Sequence, residues 1–223
     1  KVSIPEFPLE LTDNLITLKS IQGKRKQAFD DSNHDDSFVY IEAYTDNEIV
    51  ENMEIIYGPI LIGPQSIPFK NEFDLIYSNV KNYSNIGIFK YDDYNKKWKF
   101  SDNKEDLNTI KSNIKVGGIY SIIKDSNPPE ISRKVPNVGS TYRHDHFDLL
   151  HYEIKDDLCG IKDENSIKVY IDGERLVVDY NTYRNLVFHE FDEPLEIGTH
   201  SLELIVTDNC NNTKQIKGNF YIK

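Results

Sequence analysis

The stretch THSLELIVTDNCNNTKQIKGNFYIK (199–223) is two alternating runs around one polar turn. In THSLELIVTD (199–208) and TKQIKGNFYIK (213–223) apolar and polar residues alternate, the period of a strand with one buried face. Between them lie Asp and Asn residues, which bend a chain through side-chain bonds to their own backbone. A hairpin is expected here, with Cys210 at its turn.

Working toward the N-terminus, the same period recurs in HFDLLHYEIKD (146–156), SIKVYID (166–172), ERLVVDY (174–180) and NLVFHEF (185–191). Asp172-Gly173 is a tight-hairpin signal, and EPLEIGTH (193–200) is a corner that returns the chain to the sheet. So many short strands in one domain length is the pattern of an immunoglobulin-like sandwich. Before them comes KDSNPPEIS (124–132). Pro128 and Pro129 cannot donate ladder hydrogen bonds and force extended backbone on their predecessors. They mark a linker, with a boundary near residue 127.

The first half repeats the rhythm in NLITLKS (14–20), SFVYIEAY (37–44), MEIIYGPILIG (53–63), EFDLIYSN (72–79), NIGIFKYD (85–92), KWKFS (97–101), NTIKSNIK (108–115) and GGIYSIIKD (117–125). No amphipathic helix of any length stands out. The fold expected is all-β: two consecutive antiparallel β-sandwich domains, residues 1–126 and 127–223, the second immunoglobulin-like.

The net charge is −11. Lys and Arg concentrate only in GKRK (23–26) and NKKWK (95–99), so nucleic acid and anionic membranes are not expected partners. No apolar run reaches the ~18 residues of a membrane span. The chain starts at Lys1 inside a strand-like pattern, as a trimmed piece of something larger would.

Only two cysteines are present, Cys159 and Cys210. Cys159 follows the strand ending near Lys155, and Cys210 the strand ending near Thr207. Four strands intervene, and an even number of reversals puts both loops at one end of a sandwich. The two either pair or remain separate thiols. Pairing is the expectation, and it would place the protein in an oxidising compartment: periplasm, cell surface or medium. No CxxC spacing points to a redox or metal motif.

The loops themselves are familiar. DDLCGIKDENSIKVYIDG (156–173) resembles the Asp-x-x-Ser-Gly-Ile…Val-x-Val-x-x-Asp-Gly pattern of bacterial extracellular immunoglobulin-like domains. LEIGTHSLELIVTDNCNNT (195–213) is similar to their Leu-x-x-Gly-x-His-x-Leu…Asp-x-Ala-Gly-Asn ending, and DSNPPEI (125–131) to the segment that introduces them. Cys159 stands where that pattern has Ser and Cys210 where it has Ala, a paired replacement that fits a bridge. In the first half, IGPQSIPFKNEFDLIYS (62–78), NIGIFKYDDYNKKWKF (85–100) and VGGIYSIIKD (116–125) resemble a sandwich of ankyrins and netrin receptors, with Glu72-Phe73 in place of its Pro-Val. The tandem resembles the C-terminal, non-catalytic part of large bacterial envelope proteins, some of which carry a lysostaphin-type metallopeptidase domain.

That resemblance implies a structural, adhesive or assembly segment of an exported protein, working through self-association or a protein partner at sheet edges or loops. The alternatives are accessory domains of an envelope peptidase whose catalytic domain lies elsewhere, or a glycan-binding module. No catalytic set is expected. Acidic loops offer a calcium set of Asp156, Asp157, Asp163, Asp208 and Asn212, since hard cations take six to eight oxygens; the same residues also serve turns. Tyr91, Tyr94 and Trp98 gather at one hairpin and offer stacking rings for a sugar. His144 and His146, read as alternate residues of a strand, would point the same way and could share a metal, but with no third ligand a surface pair on a strand edge is expected.

Overall fold

The structure is a computed structural model that describes residues 9–11, 16–20, 40–44, 49, 53–65, 68–80, 83–101, 103–106 and 108–223. The chain divides into two compact units, Lys1–Asp125 and Ser126–Lys223. Among the described residues there are strands and short 3-10 turns but no α-helix.

The first unit contains β1 (Leu9–Leu11), β2 (Ile16–Ser20), β3 (Tyr40–Ala43), β4 (Glu54–Gly63), β5 (Pro68–Ser78), β6 (Ile86–Asp92), β7 (Lys97–Ser101), β8 (Asn103–Asp106), β9 (Thr109–Val116) and β10 (Gly118–Lys124). They form two five-stranded sheets, ordered β1-β2-β5-β9-β8 and β3-β4-β10-β6-β7, antiparallel at every strand pairing. One apolar cluster joins them: Phe73, Leu75 and Tyr77 of β5 and Ile110 and Ile114 of β9 meet Ile60 and Ile62 of β4, Ile88 of β6, and Tyr120 and Ile122 of β10. Each fully buried Ile or Leu contributes on the order of 1.5–3 kcal/mol. The chain changes sheets between β9 and β10 with a single residue, Gly117. A Cβ there would stand 2.0 Å from the Pro64 carbonyl oxygen, so only glycine fits.

The second unit contains β11 (Glu130–Val135), β12 (Thr141–Tyr142), β13 (Leu149–Lys155), β14 (Ile167–Ile171), β15 (Glu174–Leu176), β16 (Asp179–Asn181), β17 (Leu186–Glu190), β18 (Gly198–Thr207) and β19 (Thr213–Ile222). One sheet runs β11-β13-β17-β16, the other β12-β19-β18-β14-β15. All pairs are antiparallel except β12 with β19. The hairpin expected from the alternation of 199–223 is present in register from Gly198↔Ile222 to Thr207↔Thr213. Its inward residues Leu202, Leu204, Val206 and Phe220 pack on Leu150, Tyr152 and Ile154 of β13 and Val187 of β17, closing a sandwich core.

Two readings of the sequence are corrected. ERLVVDY is not one strand: β15 pairs with β14, whereas β16 pairs with β17 in the opposite sheet. The crossing falls at Val177, which is exposed, and Val178, which is buried; His189 Nδ1 lies 2.7 Å from the Val177 carbonyl oxygen and holds it there. Alternation survives such a crossing, so the pattern does not betray it. His144 and His146 lie in a 3-10 turn, His144–His146, rather than on a strand. Residues two apart on a 3-10 turn lie about 240° apart around its axis, so the basis for a shared metal is gone.

Candidate functional site

At one end of the second unit, two loops are stitched together. The first follows β13. Asp156 Oδ1 there accepts the backbone N–H groups of Leu158 (3.3 Å) and Gly160 (2.6 Å), curling the chain so that Cys159 points inward. Gly160 has φ +68, a left-handed turn that suits glycine. The second loop joins β18 to β19. Asp208 Oδ1 accepts from the N–H of Cys210 and of Asn212, both at 2.8 Å, and Asp208 Oδ2 from the Asn212 side-chain amide at 2.9 Å. Asn211 takes the left-handed position at φ 70, which Asn tolerates.

Cys159 and Cys210 are disulfide-bonded, with Cα atoms 5.8 Å apart, and both are buried. Asn209 reinforces the bridge: its N–H donates to the Gly160 carbonyl (3.0 Å), and its amide donates to the carbonyls of Cys159 (2.9 Å) and Gly160 (3.1 Å). Nothing in the sequence marked Asn209 apart from the neighbouring asparagines; its role exists only because the loops meet.

Of the expected calcium set, Asp156 and Asp208 come together, with carboxylate oxygens within 4.8 Å of one another. Burial pushes the Asp208 carboxyl above its usual range; its Asn212 and Cys210 bonds oppose this, and Asp156 adds to it. Asn212 belongs to the same turn. Asp163 lies elsewhere in role: it caps the 3-10 turn Glu164–Ser166 by accepting from the Asn165 N–H at 2.9 Å. Asp157 is exposed. Neither Asp157 nor Asp163 joins a cluster of three or more metal-ligating groups among the described residues. Asp156 and Asp208 thus belong to a group of carboxylates whose oxygens could hold an ion, Asp157 and Asp163 stand outside it, and Asp156 Oδ1 and both Asp208 oxygens also hold turns.

The aromatic trio also divides. Trp98 is 5% exposed and Tyr91 9%; their rings meet edge to face at 5.3 Å, and the indole N–H donates to the Ile49 carbonyl at 2.7 Å. Trp98 is thereby a structural support, while Tyr91 packs on it and also helps line the cleft described below. Tyr94, by contrast, is 93% exposed. It sits in the β6–β7 turn, where Asp92 accepts the N–H groups of Tyr94 (3.0 Å) and Asn95 (3.2 Å). The Lys99 ammonium, followed by Asn95, holds the Asp92 carboxyl well below its usual range. Beside this turn Tyr94, Asp93, Lys90, Gln65, Gly117 and Gly118 help line a cleft of about 400 Å³.

A third arrangement is a buried histidine. His200 of β18 places Nδ1 2.6 Å from Asp172 Oδ2 and Nε2 2.7 Å from the Glu196 carbonyl oxygen, with its ring stacked on Phe220 at 5.5 Å. Asp172, in the β14–β15 turn, also accepts from the Ser201 N–H at 2.7 Å. With an acceptor at each nitrogen, only the imidazolium donates both bonds. Burial alone would lower its pKa, but the Glu196 carbonyl and Asp172 outweigh this and hold it above 6.5.

Fold and site together define a two-unit all-β chain whose second sandwich is stapled across two loops by a buried disulfide. No protein family and no curated protein matches the chain. No helix among the described residues is long and apolar enough to cross a membrane.

Proposed function

We propose that this chain is a non-catalytic structural or adhesive segment of an exported bacterial envelope or surface protein, spacing or docking other domains through its loops and sheet edges. The observation that carries the reading is the Cys159–Cys210 bridge, since structural disulfides persist in oxidising compartments and are rare in the cytosol. Several titratable groups that the fold draws together hold turns: Asp156 Oδ1 and Asp208 on the stapled loops, Asp92 on the β6–β7 turn, and His200 with Asp172 at the β14–β15 turn. That economy suits a rigid element.

The strand order of the second unit supports an immunoglobulin-like assignment. Its sheets, β11-β13-β17-β16 and β12-β19-β18-β14-β15, correspond to an ABED sheet facing a GFC sheet with added edge strands. In that lettering the bridge joins the B–C and F–G loops, which in such sandwiches are used for presentation.

Compartment is the decisive test. Protein recovered from its source cells under thiol-blocking conditions should yield the Cys159–Cys210 peptide pair on non-reducing mapping, and antibody to this chain should label intact cells. Free, alkylatable thiols in the native protein would overturn the exported reading.

A further inference from the structure

The cleft beside the β6–β7 turn contains an ammonium that has no acceptor among the described residues. Lys90 of β6 is half-buried, and no described residue takes a hydrogen bond or ion pair from it; the Tyr120 ring lies 5.9 Å away. Its stem runs across Gly118, where a Cβ would stand 2.7 Å from Lys90 Cε and where φ is +154, so a glycine is what lets the lysine lie in the cleft. Burial lowers the Lys90 pKa against the pull of Asp92 and Asp93. A desolvated donor of this kind is stabilised when something supplies an oxygen.

The rest of the lining narrows what that something is. Lys90 and Lys99 are balanced by Asp92 and Asp93, so the cleft favours neither a polyanion nor a polycation. Gln65 and Asp93, both exposed, offer amide and carboxylate groups, and Tyr94 presents a nearly free ring at the rim. Acceptors, donors and one aromatic plate, at neutral net charge and in the volume range of small-molecule sites, match a ring that carries hydroxyls on its edge and C–H groups on its face.

We propose that this cleft binds a neutral saccharide unit, with Lys90 donating to ring or hydroxyl oxygens, Asp93 accepting from hydroxyls, and Tyr94 stacking on the sugar face. The site adds a ligand to the spacer described above, and its failure would leave that spacer role untouched.

The test is an amide chemical-shift titration of the full chain with neutral hexose, N-acetylhexosamine and pentose trisaccharides, and with trigalacturonic acid as the acidic comparison. At least one neutral trisaccharide should move the amides of residues 90–94 and 117–118. Tyr94→Ala and Lys90→Met should each weaken binding by about tenfold, the weight of one stacked ring or one charged hydrogen bond. The exposed Tyr94 makes its variant safe for folding, and an unchanged thermal transition in Trp98 fluorescence verifies this. Three results would overturn the proposal: no neutral saccharide shifting these amides at millimolar concentration, undiminished affinity in Tyr94→Ala, or tighter binding of the acidic trimer.

Discussion

Removing the Cys159–Cys210 bridge should cost the second unit a large part of its stability and leave the first unit alone. The bridge spans a sequence separation of 51, and the enclosed segment contains β14, β15, β16, β17 and β18. Closing a loop of that length restricts the unfolded chain by about 4 kcal/mol on the chain-entropy estimate. A domain of this size has about 5–15 kcal/mol in total. The perturbation is the double variant Cys159→Ala/Cys210→Ala, which avoids burying a lone hydroxyl where both sulfurs are now enclosed. Its expected thermal shift is about 16–32 °C for a domain of roughly one hundred residues. Two probes separate the units. Far-UV circular dichroism follows both, while Trp98, the chain's one tryptophan, lies in the first unit and reports it alone. Urea titration should show the second transition moved by about 4 kcal/mol and the Trp98 transition unmoved. Reduced wild-type protein should match the variant. A loss below about 1 kcal/mol by both routes, or a Trp98 transition that shifts equally, would refute the reasoning.

Other outcomes follow from the same geometry. The His200 pKa is raised on folding, so its contribution is complete below pH 6.5 and lost as pH rises through the folded value. Asp172 is lowered despite burial, chiefly by His200 and Ser201, so its contribution is complete above 3.8 and lost as pH falls through its folded value. The second transition should therefore be most stable between those limits, and His200→Gln should flatten the alkaline side; an imidazole titrating below 6.5 by NMR would contradict this. Trp98→Ala should destabilise the first unit by about 3–5 kcal/mol through its cavity and the orphaned Ile49 carbonyl, read as an earlier circular-dichroism transition. Gly117→Ala should cost about 1–3 kcal/mol or more in the same assay, because the added methyl meets the Pro64 carbonyl.

Strands with one buried face were legible because side-chain direction alternates with sequence, a local rule that needs no knowledge of neighbours. β9, β13, β14 and β18 all show it. β8, β11 and β12 do not: NKED contains no apolar residue, EISRKV has no fully buried one, and TY is too short to show a period. They are strands only because a neighbouring edge pairs with them. The aromatic trio divided for a related reason. Composition placed Tyr91, Tyr94 and Trp98 at one hairpin, but which rings face the core depends on the second sheet.

By itself, the sequence determined that this chain is all-β, where most of its strands run, and that its two sulfurs belong to loops at one end. Periodicity and the count of reversals pointed to that, although ERLVVDY, counted as one strand, is two. Only the tertiary structure decided that Val177 carries the chain from sheet to sheet, that Asn209 ties the stapled loops, that His200 is sandwiched between a carboxylate and a carbonyl, and that the Lys90 stem lies across Gly118. Each of these depends on the distance between residues far apart in the chain, which a one-dimensional pattern does not encode.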